Sequence, residues 1–255
     1  MANELPQIPA GSGKHPVALV VISTRDLARA GSFYGEVFGW QVQPMTPELA
    51  GLVAPGGPAA ALRANVPDGF PGMVPYLSVP DVAAMLERVV SAGGAVERPP
   101  WNVPGVGTLA RFRDPGGTIY GLMDGMAPEN PSRMPMPLGS NPKPPEGSIC
   151  HLEMYAADGA ATARFFAELF GWGTLPTMPQ YVGFDPGACA GGVFQSHSSS
   201  TPAMAYIYAA DVAERLTRIE AHGGQRLGNP IRLPGTGTFG YFKDATGSSM
   251  GLIGR

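Results

Sequence analysis

Apolar and polar residues alternate in a fixed order from residue 17 onward. The β-branched run at residues 17–22 predicts a buried strand. Asp26 then provides a helix cap, and Phe33 and Val37 recur at helical spacing until Gly39 ends the helix. Glycines and prolines separate the strand candidates that follow, which lie around residues 40–42, 51–54 and 59–64. This segment therefore predicts a βαβββ unit.

The same order returns in the next segment. A strand at 76–79 precedes a helix at 81–92, and Gly93 and Gly94 stop that helix. Further strands are predicted at residues 95–97, 108–113 and 118–123. One face of each strand run suits a covering helix, and the other face needs a partner sheet or a ligand. A pair of units is therefore expected to enclose a cleft.

The chain contains a tandem repeat of this pair of units. Residues 33–40 match residues 165–172, and residues 76–125 match residues 206–255 without a gap, with 18 identities in 50 positions. We predict an N-terminal extension at 1–14, a first domain at 15–125, a proline-rich linker at 126–146 and a second domain at 147–255.

Composition narrows the possible partners. The net charge of −3, from 17 basic and 20 acidic residues, provides no basic surface for nucleic acid or an anionic membrane. Cys150 and Cys189 form no Cys-x-x-Cys pair, and the first ten residues lack the features of a signal peptide. We expect a cytoplasmic protein, monomeric or homodimeric, whose partner is a small molecule.

Two motifs give the chain a family resemblance. The strand followed by Asp26-Leu-Ala-Arg-Ala-Gly-Ser-Phe-Tyr-Gly-Glu-Val-Phe-Gly-Trp40, and the later Asp114-Pro-Gly-Gly-Thr-Ile-Tyr-Gly-Leu122, resemble the vicinal oxygen chelate superfamily of glyoxalases, bleomycin resistance proteins and extradiol dioxygenases. The tandem form is most similar to a two-domain, hydroxylase-like branch. The resemblance implies an α+β fold in which each domain's two βαβββ modules form a cupped mixed sheet. It also implies a divalent metal in the enzymatic members.

The residues at the family's metal-ligand positions do not form the usual ligand set. Of these positions only His151, in domain two, carries a metal-binding side chain. The remaining positions are occupied by Leu19, Pro75, Ala61 and Gly121 in domain one, and by Ala205, Gly191 or Gly192, and Gly251 in domain two. Enzymatic transition-metal sites need about three protein ligands. We therefore expect no cofactor, and a divalent metal has little support.

His151 and Glu153 are the candidate catalytic residues. Two positions apart on one strand, they project to the same face, where a carboxylate can orient a histidine that acts as a general base. The alternatives are that the two side chains simply satisfy each other, or that His151 binds a metal. His197, in a serine-rich segment, is read as part of a solvated turn.

Three tryptophans are candidate ligand-binding residues. Trp40 and Trp172 follow the glycines that end the first helix of each domain, where an aromatic ring either walls a ligand or fills the core. Trp101 has Ile231 at its repeat position, so any ligand contact by this ring would be specific to domain one.

Two classes of function remain open. The first is a metal-independent small-molecule-binding protein of the superfamily. The alternative is an enzyme of the hydroxylase, dioxygenase, isomerase or lyase type that uses His151 and Glu153, or a non-standard divalent metal, in domain two.

The ligand positions generate a prediction about metal content. Leu19, Pro75 and Gly121 offer no side-chain donors, so domain one should bind no catalytic divalent metal. Elemental analysis of protein purified without chelator or affinity tag checks this. Stoichiometric zinc, nickel, iron or manganese lost on mutating these positions would contradict it.

Overall fold

The computed structural model describes residues 14–126, 143–196, 202–234 and 237–254. The first domain contains strands β1 (Val17–Ser23), β2 (Gln41–Thr46), β3 (Leu49–Val53), β4 (Ala59–Arg63), β5 (Met73–Ser78), β6 (Ala95–Val103), β7 (Gly107–Arg113) and β8 (Ile119–Met123), with helices α1 (Leu27–Phe38) and α2 (Val82–Ser91). The predicted extension and linker lie almost entirely outside the described residues.

The second domain repeats these elements. Its strands are β9 (Ile149–Ala156), β10 (Thr174–Met178), β11 (Tyr181–Phe184), β12 (Ala190–Gln195), β13 (Ala203–Tyr208), β14 (Gln225–Arg226), β15 (Ile231–Leu233), β16 (Gly237–Lys243) and β17 (Ser249–Gly254), and its helices are α3 (Gly159–Phe170) and α4 (Val212–Ala221). None of the four described helices is long and apolar enough to cross a membrane.

Each domain forms one mixed sheet with the same strand order. The order is β2-β3-β4-β1-β5-β8-β7-β6 in the first sheet and β10-β11-β12-β9-β13-β17-β16-β14 in the second, where β15 also pairs with β16. The ninth strand arises because the edge that β6 forms continuously in domain one is divided in domain two, where Gly228, in the left-handed region at φ 88°, replaces Arg98. The predicted α+β architecture of paired βαβββ modules is confirmed.

Sequence-encoded caps start all four helices. The side chains of Asp26, Asp81, Asp158 and Asp211 each accept a hydrogen bond from the backbone N–H three residues later. Gly39 ends α1 in the left-handed conformation, as the sequence predicts. The capping aspartates therefore fix the point at which each strand turns into its helix.

The helices lie on one side of each sheet and join both domains in one core. Phe33 and Phe38 of α1 contact Phe242 of β16, with ring centroids 6.2 and 5.8 Å apart. In the equivalent contact of the other repeat, the ring of Phe165 of α3 lies 6.2 Å from the ring of Phe112 of β7. All five rings belong to a single buried cluster. The helix side of each sheet is thus covered by its own helices and by the first helix of the other domain, which leaves the opposite, concave face for other contacts.

Paired hydrogen bonds lock the two domains together. Trp40 Nε1 donates to the carbonyl of Gly147 at 2.8 Å, and Trp172 Nε1 donates to the carbonyl of His15 at 3.0 Å. These equivalent bonds run in opposite directions between the domains. The interface therefore has an approximate twofold relation, as the tandem repeat implies.

One pair of equivalent positions breaks this symmetry. The Tyr34 hydroxyl donates to Asp244 Oδ2 at 3.0 Å, but the equivalent of Tyr34 is Phe166 and the equivalent of Asp244 is Asp114. Oδ2 of Asp114 is buried and accepts no hydrogen bond from any described residue. Burial raises the pKa of Asp114 from 3.8 to about 6, although backbone N–H groups oppose the rise. Because Phe166 has no hydroxyl group, Asp114 Oδ2 lacks the hydrogen bond that Asp244 Oδ2 accepts from Tyr34.

We expect Phe166→Tyr to stabilise the protein near neutral pH. Because the pKa of Asp114 is raised on folding, the folded state holds the extra proton between about pH 4 and 6, and stability falls as the pH rises through that window. A tyrosine hydroxyl at 166 should bond to the charged carboxylate and restore about 1 kcal/mol at pH 7.5, with a smaller gain at pH 4. Urea denaturation at both pH values measures this.

Tyr34→Phe is the matched control for this prediction. It removes the bond that already exists to Asp244, so it should cost about 1–2 kcal/mol at pH 7.5. The interpretation fails if Phe166→Tyr gives no gain at pH 7.5 while Tyr34→Phe is destabilising.

Candidate functional site

Strand register identifies the side chains on the concave face of domain one. Leu19 of β1 lies opposite Ala59 of β4 and Tyr76 of β5, and Val21 lies opposite Ala61. These residues belong to an apolar cluster that is separate from the helix-side core. The alternate residues of β1, Val20 and Ile22, are buried in the helix-side core. The concave face therefore has its own wall of mainly small and apolar side chains.

This wall bounds a cavity of about 440 Å³. Its lining is largely apolar, and its ionisable members are Glu48, Arg63, Tyr76 and Arg98. Trp101 and Leu109 also face the cavity. Small-molecule sites typically have a volume of roughly 300–1,000 Å³ with a few polar groups in an apolar wall. The concave face of domain one has both properties.

Cationic and aromatic side chains alternate along one side of this cavity. The guanidinium carbon of Arg98 lies 3.9 Å from the centre of the Trp101 ring, and that of Arg111 lies 5.5 Å from the same ring. Arg111 and Arg63 also lie 4.8 and 5.6 Å from the centre of the Phe70 ring. The resulting series, Arg98, Trp101, Arg111, Phe70 and Arg63, is called the cation ladder below. Contacts of this kind hold guanidinium groups in fixed positions.

The central member of the cation ladder is buried behind the cavity wall. Arg111 is 6% exposed, and its Nε donates to Glu97 Oε2 at 2.6 Å. Its Nη1 is buried and donates to no described residue. Arg63 and Arg98, which line the cavity, form no ion pair within the part of the chain that the structure describes.

The positive charge affects the neighbouring titratable groups. Burial lowers the pKa of Arg63, and the guanidinium groups of Arg111 and Arg98 lower it further. Burial raises the pKa of the Tyr76 hydroxyl, while Arg111 and Arg63 oppose this rise. Burial is the main cause of both shifts. The contributions of the guanidinium groups indicate positive charge at this end of the cavity, which Glu48 partly offsets at Arg63.

Aromatic rings replace the ladder's cations in domain two. Register and repeat place Phe194 at the position of Arg63, Tyr241 at that of Arg111 and Tyr181 at that of Leu49. Tyr181 and Phe194 lie 6.3 Å apart, and Tyr206 and Tyr241 lie 6.1 Å apart. The concave face of the second domain is therefore richer in aromatic rings and carries no counterpart of the cation ladder.

The candidate catalytic residues His151 and Glu153 lie on this second concave face, as expected from their spacing. His151 Nε2 is 3.0 Å from the Tyr181 hydroxyl. Glu153 Oε2 accepts hydrogen bonds from Tyr155 at 2.5 Å and Tyr206 at 2.6 Å. Each side chain is thus held by tyrosine hydroxyls.

Burial sets the protonation of this network. It lowers the pKa of His151, although the Glu153 carboxylate favours the charged imidazole. Burial and the same carboxylate raise the pKa values of Tyr155 and Tyr206, so their hydroxyls remain hydrogen-bond donors. A neutral His151 beside these donors suits a satisfied structural network, and it equally has the protonation state of a general base.

The expected alignment of one metal-ligand position needs correction. Ala205 pairs with Leu152 and lies in the helix-side core, and Pro75 pairs with Val20. The residues opposite Leu19 and His151 are Tyr76 and Tyr206 instead. Irregular register near the start of β1 and at Tyr206 shifts the pairing by one residue, which spacing along the chain does not reveal.

Tyrosine rings cover the glycines at three other metal-ligand positions. A Cβ atom on Gly121 would lie 2.0 Å from the Tyr76 ring, one on Gly251 would lie 2.3 Å from the Tyr206 ring, and one on Gly192 would lie 2.2 Å from the Tyr181 ring. A carboxylate side chain does not fit at these positions. Among the described residues, no three His, Cys, Asp or Glu side chains come close enough together to hold a metal ion.

The three tryptophans occupy different environments. Trp40 and Trp172 are each 2% exposed in the helix-side core, stacked on Tyr34 and Phe166, so the structure places neither ring on a cleft wall. Their position directly after a helix turns them toward the domain interface. Trp101 does line the domain-one cavity. His197 lies outside the described residues.

Apart from Trp101, no member of the cation ladder was among the candidate site residues predicted from the sequence. Comparison of the two repeats contains a signal for it, because Arg98 and Arg111 align with Gly228 and Tyr241. A charged residue that is present in only one repeat, within an otherwise apolar strand, marks a position where the two concave faces differ.

Comparisons with known proteins agree with this architecture. The model of the "Glyoxalase/Bleomycin resistance protein/Dioxygenase superfamily" matches residues 16–119. The chain is 25% identical over 251 residues to "Putative glyoxylase CFP32" of Mycobacterium bovis, and the match covers 92% of each chain.

Two solved structures show the same fold. The Mn(II)-bound glyoxalase from Novosphingobium aromaticivorans has a TM-score of 0.66 and 19% identity over 94% of this chain and 83% of its own. The 2,3-dioxygenase LapB from Pseudomonas sp. KL28 has a TM-score of 0.66 and 13% identity over 95% and 92%.

Gly121→Ala tests the close contact with Tyr76. The added Cβ would force the ring or strand β8 to move, so we expect a loss of about 1–3 kcal/mol in the free energy of unfolding. Combining it with Tyr76→Ala should cost less than the sum of the two single losses, because the double variant removes the clash. Chemical denaturation of the three variants measures this.

Gly72→Ala is the matched control. A Cβ at Gly72 meets no atom within 4 Å, so this change should alter stability by less than about 0.5 kcal/mol. Equal effects of Gly72→Ala and Gly121→Ala, or strict additivity in the double variant, would show that the ring does not occupy this space.

Proposed function

We propose that this chain is a member of the Glyoxalase/Bleomycin resistance protein/Dioxygenase superfamily, whose model matches residues 16–119, and that it binds a small molecule in the concave cleft of domain one, without the family's divalent metal. The observation that carries this proposal is the cavity of about 440 Å³, with its apolar wall and few charged groups. Contact between an exposed apolar surface of this kind and water is unfavourable, and a ligand that covers the surface removes that free-energy cost.

The side chains around the cleft do not suit a metal centre. Leu19 presents no donor, and Gly121 is covered by the Tyr76 ring. Two of the four ionisable side chains in the lining are arginines, Arg63 and Arg98. A cation placed among Arg63, Arg98 and Arg111 would be repelled by them. The chemistry of these side chains therefore favours ligand binding by shape, stacking and charge.

The apolar wall acts mainly by desolvation. Leu19, Val21, Ala61 and Leu109 offer methyl groups and methylenes but no donors, so they would contact a ligand's apolar body. Each ångström squared of apolar surface removed from water contributes about 25 cal/mol. Polar groups at one end of the cleft would then orient the ligand within it.

A catalytic role for His151 and Glu153 stays a separate hypothesis about domain two. Relatives described as a putative glyoxylase and a 2,3-dioxygenase make an enzyme a reasonable alternative, but this hypothesis needs ligand access to a face where tyrosines already bind both side chains. It predicts that His151→Ala weakens ligand binding or turnover.

The proposed partner is a small molecule, because a net charge of −3 gives no basic surface for nucleic acid. A cytoplasmic location and a monomeric or homodimeric state stay predictions.

Filling the cleft provides the test. We expect naphthalene-2-methanol to bind the intact protein in the presence of EDTA, and Ala61→Phe to weaken that binding at least about tenfold by occupying the apolar space. Isothermal titration calorimetry measures both affinities. Ala84→Phe, on the exposed face of α2, is the control of equal size change and should bind as the wild type does. Binding that requires added metal, or that survives Ala61→Phe unchanged, would contradict the proposal.

A further inference from the structure

The cation ladder gives the domain-one cleft an uneven distribution of charge. Arg63 and Arg98 line the cavity and Arg111 lies behind it, whereas the nearby acidic groups are Glu97 and Glu48. Glu97 is occupied by Arg111, and Glu48 is exposed at the rim, where its Oε1 accepts from Asn65. Neither cavity-lining guanidinium group forms an ion pair with a described carboxylate, although the nearby Glu48 partly offsets the positive charge at Arg63.

These guanidinium groups are held rather than freely solvated. Arg98 stacks on Trp101 at 3.9 Å, and Arg63 lies against Phe70. Both are partly buried, so each has lost part of its hydration shell. A fixed, partly dehydrated guanidinium retains planar N–H donors that match a carboxylate and has already lost much of its conformational entropy.

The third cation of the ladder, its central member Arg111, is deeply buried. Arg111 keeps a donor, Nη1, that no described residue accepts. Leaving such a donor unpaired costs about 1–3 kcal/mol unless water or a ligand reaches it. A negative charge at this end of the cavity would lower that cost through space, even if Arg63 and Arg98 make the direct contacts.

The described residues of domain two contain no such arrangement at the equivalent positions. Phe194, Gly228 and Tyr241 stand where domain one has its three arginines. The cations are therefore not required by the fold that the two domains share, and their placement around the open cavity needs a separate explanation.

We infer that the ligand of the domain-one cleft is a planar apolar monoanion, such as an aromatic carboxylate, whose negative group is bound by Arg63 and Arg98 while its ring lies against the apolar wall. This inference rests on the proposed function of the same cleft. Tyr76, whose hydroxyl is an additional donor in the cavity lining, stands at the same end.

A pair of matched probes tests the charge requirement. Naphthalene-2-carboxylate and naphthalene-2-methanol share the ring and differ in the anionic group. By calorimetry in EDTA, the carboxylate should bind at least about tenfold more tightly than the alcohol, as expected for charge-assisted bidentate hydrogen bonds. Increasing salt concentration should weaken carboxylate binding and leave alcohol binding nearly unchanged.

Substitution of the cavity-lining arginines locates the effect. Arg63→Met and Arg98→Met keep apolar packing volume and remove one charge each, so each should reduce the preference for the carboxylate several-fold while changing alcohol affinity by less than about twofold. Arg113→Met, on the exposed end of β7 where Nη1 binds the Gly117 carbonyl, removes the same charge outside the lining and should keep the preference. Melting temperatures confirm that each variant folds.

The outcomes separate this inference from the proposed function. Equal affinity for both probes, or a preference that persists in Arg63→Met and Arg98→Met, overturns the inference, while alcohol binding that is sensitive to Ala61→Phe still supports the cleft as a binding site. Failure of both probes to bind overturns both proposals. If one arginine variant does not fold, the other variant and the salt dependence still decide the result.

Discussion

The aromatic side chains of helices α1 and α3 pack across the interface between the two domains, and the rest of the structure depends on that packing. Phe33 and Phe38 need the ring of Phe242 from the opposite sheet, and Phe165 needs Phe112. Each such side chain contributes roughly 1.5–3 kcal/mol when removed from water. Neither domain holds this apolar helix surface away from solvent alone, so the tandem chain behaves as one folding unit with a shared core.

This shared core determines where chemistry can occur. Because the helix side of both sheets is closed, the concave faces are the sheet surfaces that remain accessible, and the two repeats use them differently. The concave face of domain two carries tyrosines that form hydrogen bonds with His151 and Glu153. Domain one keeps a cavity beside Arg63 and Arg98. The two repeats thus present different side chains on the same face: domain two presents tyrosines beside His151, and domain one presents a cavity with two arginines and has Leu19 at the family position of His151.

The sequence predicted the fold well because its signals are local. Capping aspartates, helix-ending glycines and the gapless repeat need no knowledge of distant contacts. The site was harder to predict. The position opposite His151 depends on an irregular register that moves Tyr206 into place, and the role of Trp40 depends on packing across the domain interface. The contrast between Arg111 and Tyr241 was visible in the repeat, but which face is open is determined by side chains that meet only in the folded chain.

The tyrosine rings that lie over glycines also limit how substitutions at these positions can accumulate in the chain. An acidic side chain at Gly121 cannot enter while the Tyr76 ring is in place, and the same holds for Gly251 beneath Tyr206. Either the ring moves or a smaller residue replaces the tyrosine first, and both changes disturb the contacts of a buried ring before any new ligand compensates for them. A series of substitutions that leads from this sequence to a metal-binding relative therefore passes through a less stable variant in each domain. As a result, related sequences are not all equally accessible through single substitutions.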